Sequence, residues 1–380
     1  MSDFNEAWVE RLNRPKELLR ERMTLFWANH FVCRENNAFF AQQYNNTLRK
    51  HALGNFKDFT NAISKEVAMI NYLNLQQNQK KSPNENFARE LMELFTLGKG
   101  NYTEQDIKES ARAFTGYSHE ISGAFKFAKW AHDEGEKTFF NKTGNFTGED
   151  IIDIILSEKQ CARFMCRKVY GYFVNTTINE SHIESMVKVF YPDYDIENLM
   201  RFVFMSDWFY DEENIGTKIK SPIDLIVGLN QSIPMQFKEQ NHLLALQKLL
   251  GQVLLMPPNV AGWIGGTQWI DDSNTILLRL RLASILLNSA HISTKQKGEF
   301  NDRLDKFIKK AKEQHLPFKV DQDWSYFEEQ YQNVSMNELK NHFIMANLST
   351  EAEDFLNGLG KTSKQEHCIQ LMSLPEYQMC

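Results

Sequence analysis

Residues 82 to 117, SPNENFARELMELFTLGKGNYTEQDIKESARAFTGY, constrain the fold most, because their side chains segregate sharply at helical spacing. At about 100° per residue, Glu85, Asn86, Arg89, Glu90 and Glu93 share one arc, and Phe87, Ala88, Leu91, Met92, Leu94 and Phe95 fill the opposite side. Such a segment is expected to be a helix with one side against a core and a polar side that suggests a site. Ser82, Pro83 and Glu85 stand at the N-cap, N1 and N3 positions of a capping box, and Gly98 where a left-handed C-cap would end the helix. Thr103 and Asp106 predict the cap of a following helix over 104–115, with Ile107, Ala111 and Phe114 inward and Arg112 on the other side.

The same pattern recurs along the chain. Helices are predicted over 16–34, 38–53 and from 56 to about 75, with QQNQKKS as a polar linker into the central helix. Thr147 opens another series, Ser157 is placed to cap the next helix, and Ser221 with Pro222 at N1 opens a further one. The helix over 241–256 is stopped by Pro257 and Pro258. Only 121–146 breaks the pattern: AFKFAKW alternates and KTFF is expected to return as a hairpin strand. The expected fold class is therefore all-α, a multi-helix globular protein with at most a short β-hairpin. Residues 1–290 are expected to form a helical core domain, and the more polar 291–380 a peripheral C-terminal helical subdomain. A hydrophobic content of 42% in 380 residues is enough for a substantial core.

Composition removes several function classes. A net charge of −6 offers no basic field for a phosphate backbone, so nucleic-acid binding is not expected. No apolar run approaches the roughly 20 residues of a membrane span, and MSDFNEAWVERL lacks the basic and apolar regions of a leader, so a soluble, untargeted chain is expected. The five cysteines are scattered without a C-x-x-C pair, and Cys161 and Cys166 read as buried free thiols. Sequence templates for serine hydrolases, phosphate-binding loops, zinc proteases and dinucleotide binding are all missing.

The remaining candidates each have two readings. His30 lies in the apolar face of its helix, as a satisfied core histidine or as a ligand or base. Glu90 and Glu93, three apart, either belong to a buried structural network or solvated face, or divide acid and base roles or share a divalent metal; apart from that metal no cofactor is expected. Arg112 is either an anion clamp beside the acidic arc or one end of an ion pair. His132, Asp133 and Lys137 sit on a loop, as binding groups or as a solvated turn. Trp263 and Trp269, on a loop with Asn259, either hold aromatic faces against a ligand or plug the core. Lys218 and Lys220 are expected to be solvated.

The block from NENFARELMELFTLG to YTEQDIKESARAFTGY resembles the signature of the bacterial family called "domain of unknown function 1800". FWANHF at 26–31, the HD and KTF elements at 132–139, KSP at 220–222, and PPNVAGW with GGTQW at 257–269 match in the same order. The resemblance implies a shared fold and no assigned activity. It also implies that relatives are often exported and often encoded beside sulfatase-like proteins. On these grounds one expected function is a hydrolase of a polar or carbohydrate-like substrate. Its catalytic groups would be His30, Glu90, Glu93 and His132, and substrate would meet Asn86, Arg89, Arg112, Asp133, Lys137, Asn259, Trp263 and Trp269. The alternative is a non-catalytic accessory or interaction protein working with a sulfatase-like partner.

Overall fold

The predicted caps at Thr103, Thr147 and Ser221 all close capping boxes, with Asp106, Asp150 and Asp224 as the reciprocal partners. The structure, a computed structural model, describes residues 1–288, 318–358 and 362–380. In chain order the helices begin with α1 (Ser2–Asn13), α2 (Leu18–His30), α3 (Ala38–His51), α4 (Phe56–Ser64) and α5 (Val67–Tyr72). They continue with α6 (Asn86–Glu90), α7 (Glu104–Ala113), α8 (Gly148–Ser157), α9 (Lys159–Phe173), α10 (Glu180–Phe190) and α11 (Ile196–Met205). Then come α12 (Pro222–Ser232), α13 (Gln240–Leu250) and α14 (Ser273–Leu287), and four further helices between Trp324 and Met372. The protein is mainly helical, as expected, and no described helix is long and apolar enough to cross a membrane.

The described chain divides into two compact units. The first comprises 16–210 and 255–263. Its core is aromatic: Trp27, Phe31, Phe56, Phe59 and Phe95 are fully buried, and Trp27 meets Phe59 edge-on at 5.2 Å. The buried indole Nε1 of Trp27 donates to Ala52 O at 3.0 Å, so its one polar atom is paired. Cys161 and Cys166 are buried free thiols. The helix expected from 56 to 75 is broken into α4 and α5 at the extended residue Glu66, whose carboxylate accepts from Thr47 and Gln43.

The irregular region pairs differently from the expected hairpin. Strand β1 (Tyr117–His119) pairs with β2 (Phe125–Phe127), and β3 (Lys137–Phe139) pairs with β4 (Lys142–Gly144). The second hairpin turns at Phe140 and Asn141, both at positive φ, the conformation a tight two-residue connection demands. KTFF therefore closes on its own neighbour and leaves AFKF to β1.

The second unit comprises 2–15, 211–254 and 264–380. In it α1 packs on α12 and α13, and α13 on α14. A third antiparallel pair, β5 (Met235–Phe237) with β6 (Val320–Gln322), links sequence-distant segments that periodicity alone did not connect. The boundary expected at 290/291 lies outside the described residues.

In the first unit, the loop ending at Trp263 is fixed to α2 by one side chain. Asn29 Oδ1 accepts from Trp263 N at 2.7 Å and Asn29 Nδ2 donates to Trp263 O at 2.9 Å. Gly262 permits this approach, since at φ +78° a Cβ there would lie 2.2 Å from Asn29 Oδ1. Gly100, at φ +85°, has nothing within 4 Å of the same position. Gly100→Ala should therefore cost only the left-handed penalty of about 1–2 kcal/mol. Gly262→Ala should cost about 1–3 kcal/mol more, because the Asn29 bonds must also break. Equal thermal destabilisation of the two variants would contradict this docking.

Candidate functional site

The central helix does not start as predicted. Ser82 N bonds Gln79 O in a tight turn, Glu85 makes no side-chain cap, and Asn84 Oδ1 instead accepts from Asn86 N at 3.0 Å. The reason lies in the linker, where buried Asn78 donates to Ala111 O at 2.7 Å and accepts from Asn84 N at 2.9 Å. The end is as expected, with Gly98 at φ +81°.

Between these ends, Leu91–Thr96 forms a π-helical turn. Its wider hydrogen-bond spacing shifts the faces relative to a regular helix, a feature frequent at functional sites. It also leaves late carbonyls that other elements must answer. His30 Nε2 lies 3.0 Å from Phe95 O, and Lys168 Nζ lies 3.1 Å from Leu94 O and 3.3 Å from His30 Nδ1. One proton arrangement serves all three contacts: Nε2–H donates to Phe95 O, and Nδ1 accepts from Lys168. Burial, then the Lys168 charge, holds the His30 pKa well below its ordinary value, while the bond to Phe95 O opposes this. Burial brings Lys168 down to about 8.

On the outer side, Arg89 forks onto Glu104 at 3.0 and 2.9 Å and reaches Glu85 at 3.2 Å. Glu93 Oε2 accepts from Tyr102 OH at 2.6 Å. Glu90 is half-buried, and its proton affinity is raised by burial first and by Glu93 second, with Arg89 opposing. Asn86 is exposed.

A separate cluster forms around the 115–145 loops. Arg112 pairs with Asp133 at 2.7 Å and with Glu109 at 2.8 Å, away from the acidic arc of the central helix. The Arg112 bond holds the Asp133 carboxyl below its usual range. Lys137 is almost fully buried and donates to Asp133 O at 2.6 Å and Gly135 O at 2.9 Å. Buried His132 Nδ1 lies 2.9 Å from Thr115 O, and its ring packs 5.0 Å from Phe127. Within this HDEGEK turn His132 and Lys137 are buried, Glu134 and Glu136 are exposed, and the Asp133 and Lys137 bonds close the loop on itself.

Asn259 is exposed and makes a local turn, its Oδ1 accepting from Ala261 N at 2.9 Å. Trp263 is buried in the first unit, and Trp269 lies on a turn of the second. The structure therefore groups Glu90 with Glu93, groups His132 with Asp133, Lys137 and Arg112, and ties Trp263 to Asn29. Among the described residues no hydrogen bond, ion pair or ring contact joins His30, His132 and the Glu90–Glu93 pair. Nor are three or more His, Cys, Asp or Glu side chains gathered there to hold a metal ion. A cleft of about 450 Å³ in the first unit runs past Asn55, Asp153 and Tyr191, and one of about 730 Å³ in the second past Glu6, Asn230 and Phe237; neither includes a predicted site residue.

Asn29, Asn78, Tyr102 and Lys168 were not singled out by sequence. A polar residue adjoining an apolar helix face was the available signal for Asn29. Lys168 offered none, since a lysine on a helix reads as solvated.

This geometry defines a mainly helical protein whose motif residues chiefly pair with one another and with backbone. The model of the family described as "protein of unknown function (DUF1800)" matches residues 1–379, and the chain belongs to that family. No curated protein and no solved structure matches it.

Because the folded state binds the Glu90 proton more tightly than the unfolded chain, Glu90 contributes stability below the unfolded pKa that is lost as pH rises through its raised folded value. Glu90→Gln should melt at or above the parent temperature at about pH 7, with that advantage shrinking towards about pH 4. A variant less stable than the parent at neutral pH would refute this assignment. Arg112→Met should lower Tm more than Arg89→Met, because Asp133 and Glu109 lose their partner away from solvent. The reverse order would show that the loop network is not what holds this region.

Proposed function

We propose that the chain is a non-catalytic accessory protein that works by binding a partner, a sulfatase-like protein being the kind its family resemblance implies. The observation that carries this reading is a set of large apolar side chains left exposed while most polar groups of the motifs are paired. Ile121, at the tip of the β1–β2 hairpin, is 100% exposed, Trp130 71% and Phe39 59%. The hairpin is seated firmly: a Cβ on Gly123 would lie 2.9 Å from the Phe40 ring, and Phe39 and Phe40 lie 5.9 Å apart. Rigidly presented aromatic and aliphatic side chains are the usual anchors of a protein interface. Apart from Glu90, the carboxylates, cations and imidazoles expected to act on substrate have partners in backbone carbonyls or in neighbouring side chains.

The test is binding, with purified proteins, to a sulfatase-like protein of the kind that the family resemblance implies. Ile121→Ser combined with Trp130→Ser should weaken the complex by about tenfold or more with Tm unchanged, and Glu90→Gln should bind as the parent does. Unimpaired binding by the double variant would remove the reading.

A hydrolase of a polar or carbohydrate-like substrate is the second reading, and one observation favours it: Glu90 is half-buried with raised proton affinity next to Glu93, the asymmetry an acid and base pair uses. Turnover of a chromogenic glycoside or ester panel, lost in both Glu90→Gln and Glu93→Gln, would establish it. Turnover that survives both substitutions would exclude this pair as its source.

A further inference from the structure

The second compact unit contains a buried guanidinium whose hydrogen bonds are incomplete. Arg279, on α14, is only 1% exposed, and its Nη2 donates to Lys220 O at 2.7 Å. Its Nε and Nη1 are buried with no acceptor among the described residues. Gln378 is 6% exposed and both of its side-chain amide atoms are buried without partners, although its backbone O accepts from Lys220 N at 2.8 Å. Both unsatisfied groups are therefore fastened to the backbone of one residue, Lys220. The Lys220 side chain is not the solvated lysine expected: its ammonium donates to Tyr377 O at 2.7 Å and lies 3.8 Å from the centre of the Tyr377 ring.

An unpaired buried guanidinium N–H costs more than almost any other polar vacancy, because charged donors lose the strongest hydration. Asp224 and Cys380 attract both cations and offset their charge, yet neither supplies an acceptor to Arg279 Nε or Nη1. What these unmet donors call for is oxygen that accepts from a guanidinium and an amide N–H, with a second cation close by. We propose that Arg279, Gln378 and Lys220 form a binding site for a small oxyanion, a phosphate or carboxylate group, held within the second unit. Arg279 supplies the charged donors, Gln378 an amide donor, and Lys220 the supporting charge and the backbone that holds both in place. The site is independent of the partner-binding reading, because none of its residues belongs to the first unit.

The experiment compares inorganic phosphate and acetate with sodium chloride at equal ionic strength, using the full chain. Phosphate or acetate should raise Tm saturably where chloride does not, and the more effective of the two identifies the ligand head group. Crystals soaked in that anion should show its density at Arg279 Nε or Nη1. Arg279→Met, which removes the buried charge, should fold and weaken binding at least about tenfold. If that variant does not fold, Gln378→Met provides the same readout at a neutral position. Equal anion-dependent shifts in parent and variants, no shift beyond chloride, or density for water alone at Nε and Nη1 would each overturn the proposal.

Discussion

Two carbonyls at the end of a π-helical turn set the terms for the first unit. Leu94 O and Phe95 O lie where a widened helix runs out of its own donors, inside an aromatic core that admits no easy substitute. Lys168 from α9 and His30 from α2 supply the donors, and the two side chains contact each other at 3.3 Å. A motif histidine therefore joins three helices. The next residue back, Asn29, holds the Gly262–Trp263 backbone by two bonds. Neighbouring residues of α2 thus fix both the central helix and the loop that returns from the far part of the chain.

The fold class was legible because capping residues and apolar spacing are local signals, and they agreed with one another. Thr103, Thr147 and Ser221 cap as their sequences imply. What was hidden depended on partners remote in sequence. The π-helical turn leaves no mark on apolar spacing over so short a span, and Asn78 looks like any polar linker residue until Ala111 O is placed beside it. Ser82 and Glu85 have the right spacing for a capping box, but the Asn78 and Asn84 contacts start the helix differently. The hairpins were missed in pairing for a similar reason: the positive φ values at Phe140 and Asn141 are a property of the turn, which favours no residue as plainly as Asn-Gly would.

The candidate site was legible residue by residue more than as a constellation. Sequence marked polar side chains that core packing does not explain, and the structure gives most of them a partner. Arg112 with Asp133, Arg89 with Glu104, and Lys137 with Asp133 O turn a list of reactive groups into supports for loops and helix ends. Glu90 is the half-buried exception, carrying no hydrogen bond among the described residues, while Asn86 is exposed, which is why Glu90 remains the natural centre of any catalytic reading. The hydrophobic groups point elsewhere, to the hairpin tip at Ile121 and to Trp130, where apolar area is left in water rather than folded away.

His30 joins α2 to the π-helical turn as a neutral structural donor, and nitrogen-15 NMR of its imidazole observes that state directly. Burial and the neighbouring Lys168 predict, below the range in which that lysine titrates, a single Nε2–H tautomer whose shifts stay constant from about pH 5 to about pH 7. A titration within that range, or a tautomer protonated at Nδ1 instead, would contradict the assignment and return His30 to the candidates for a catalytic base.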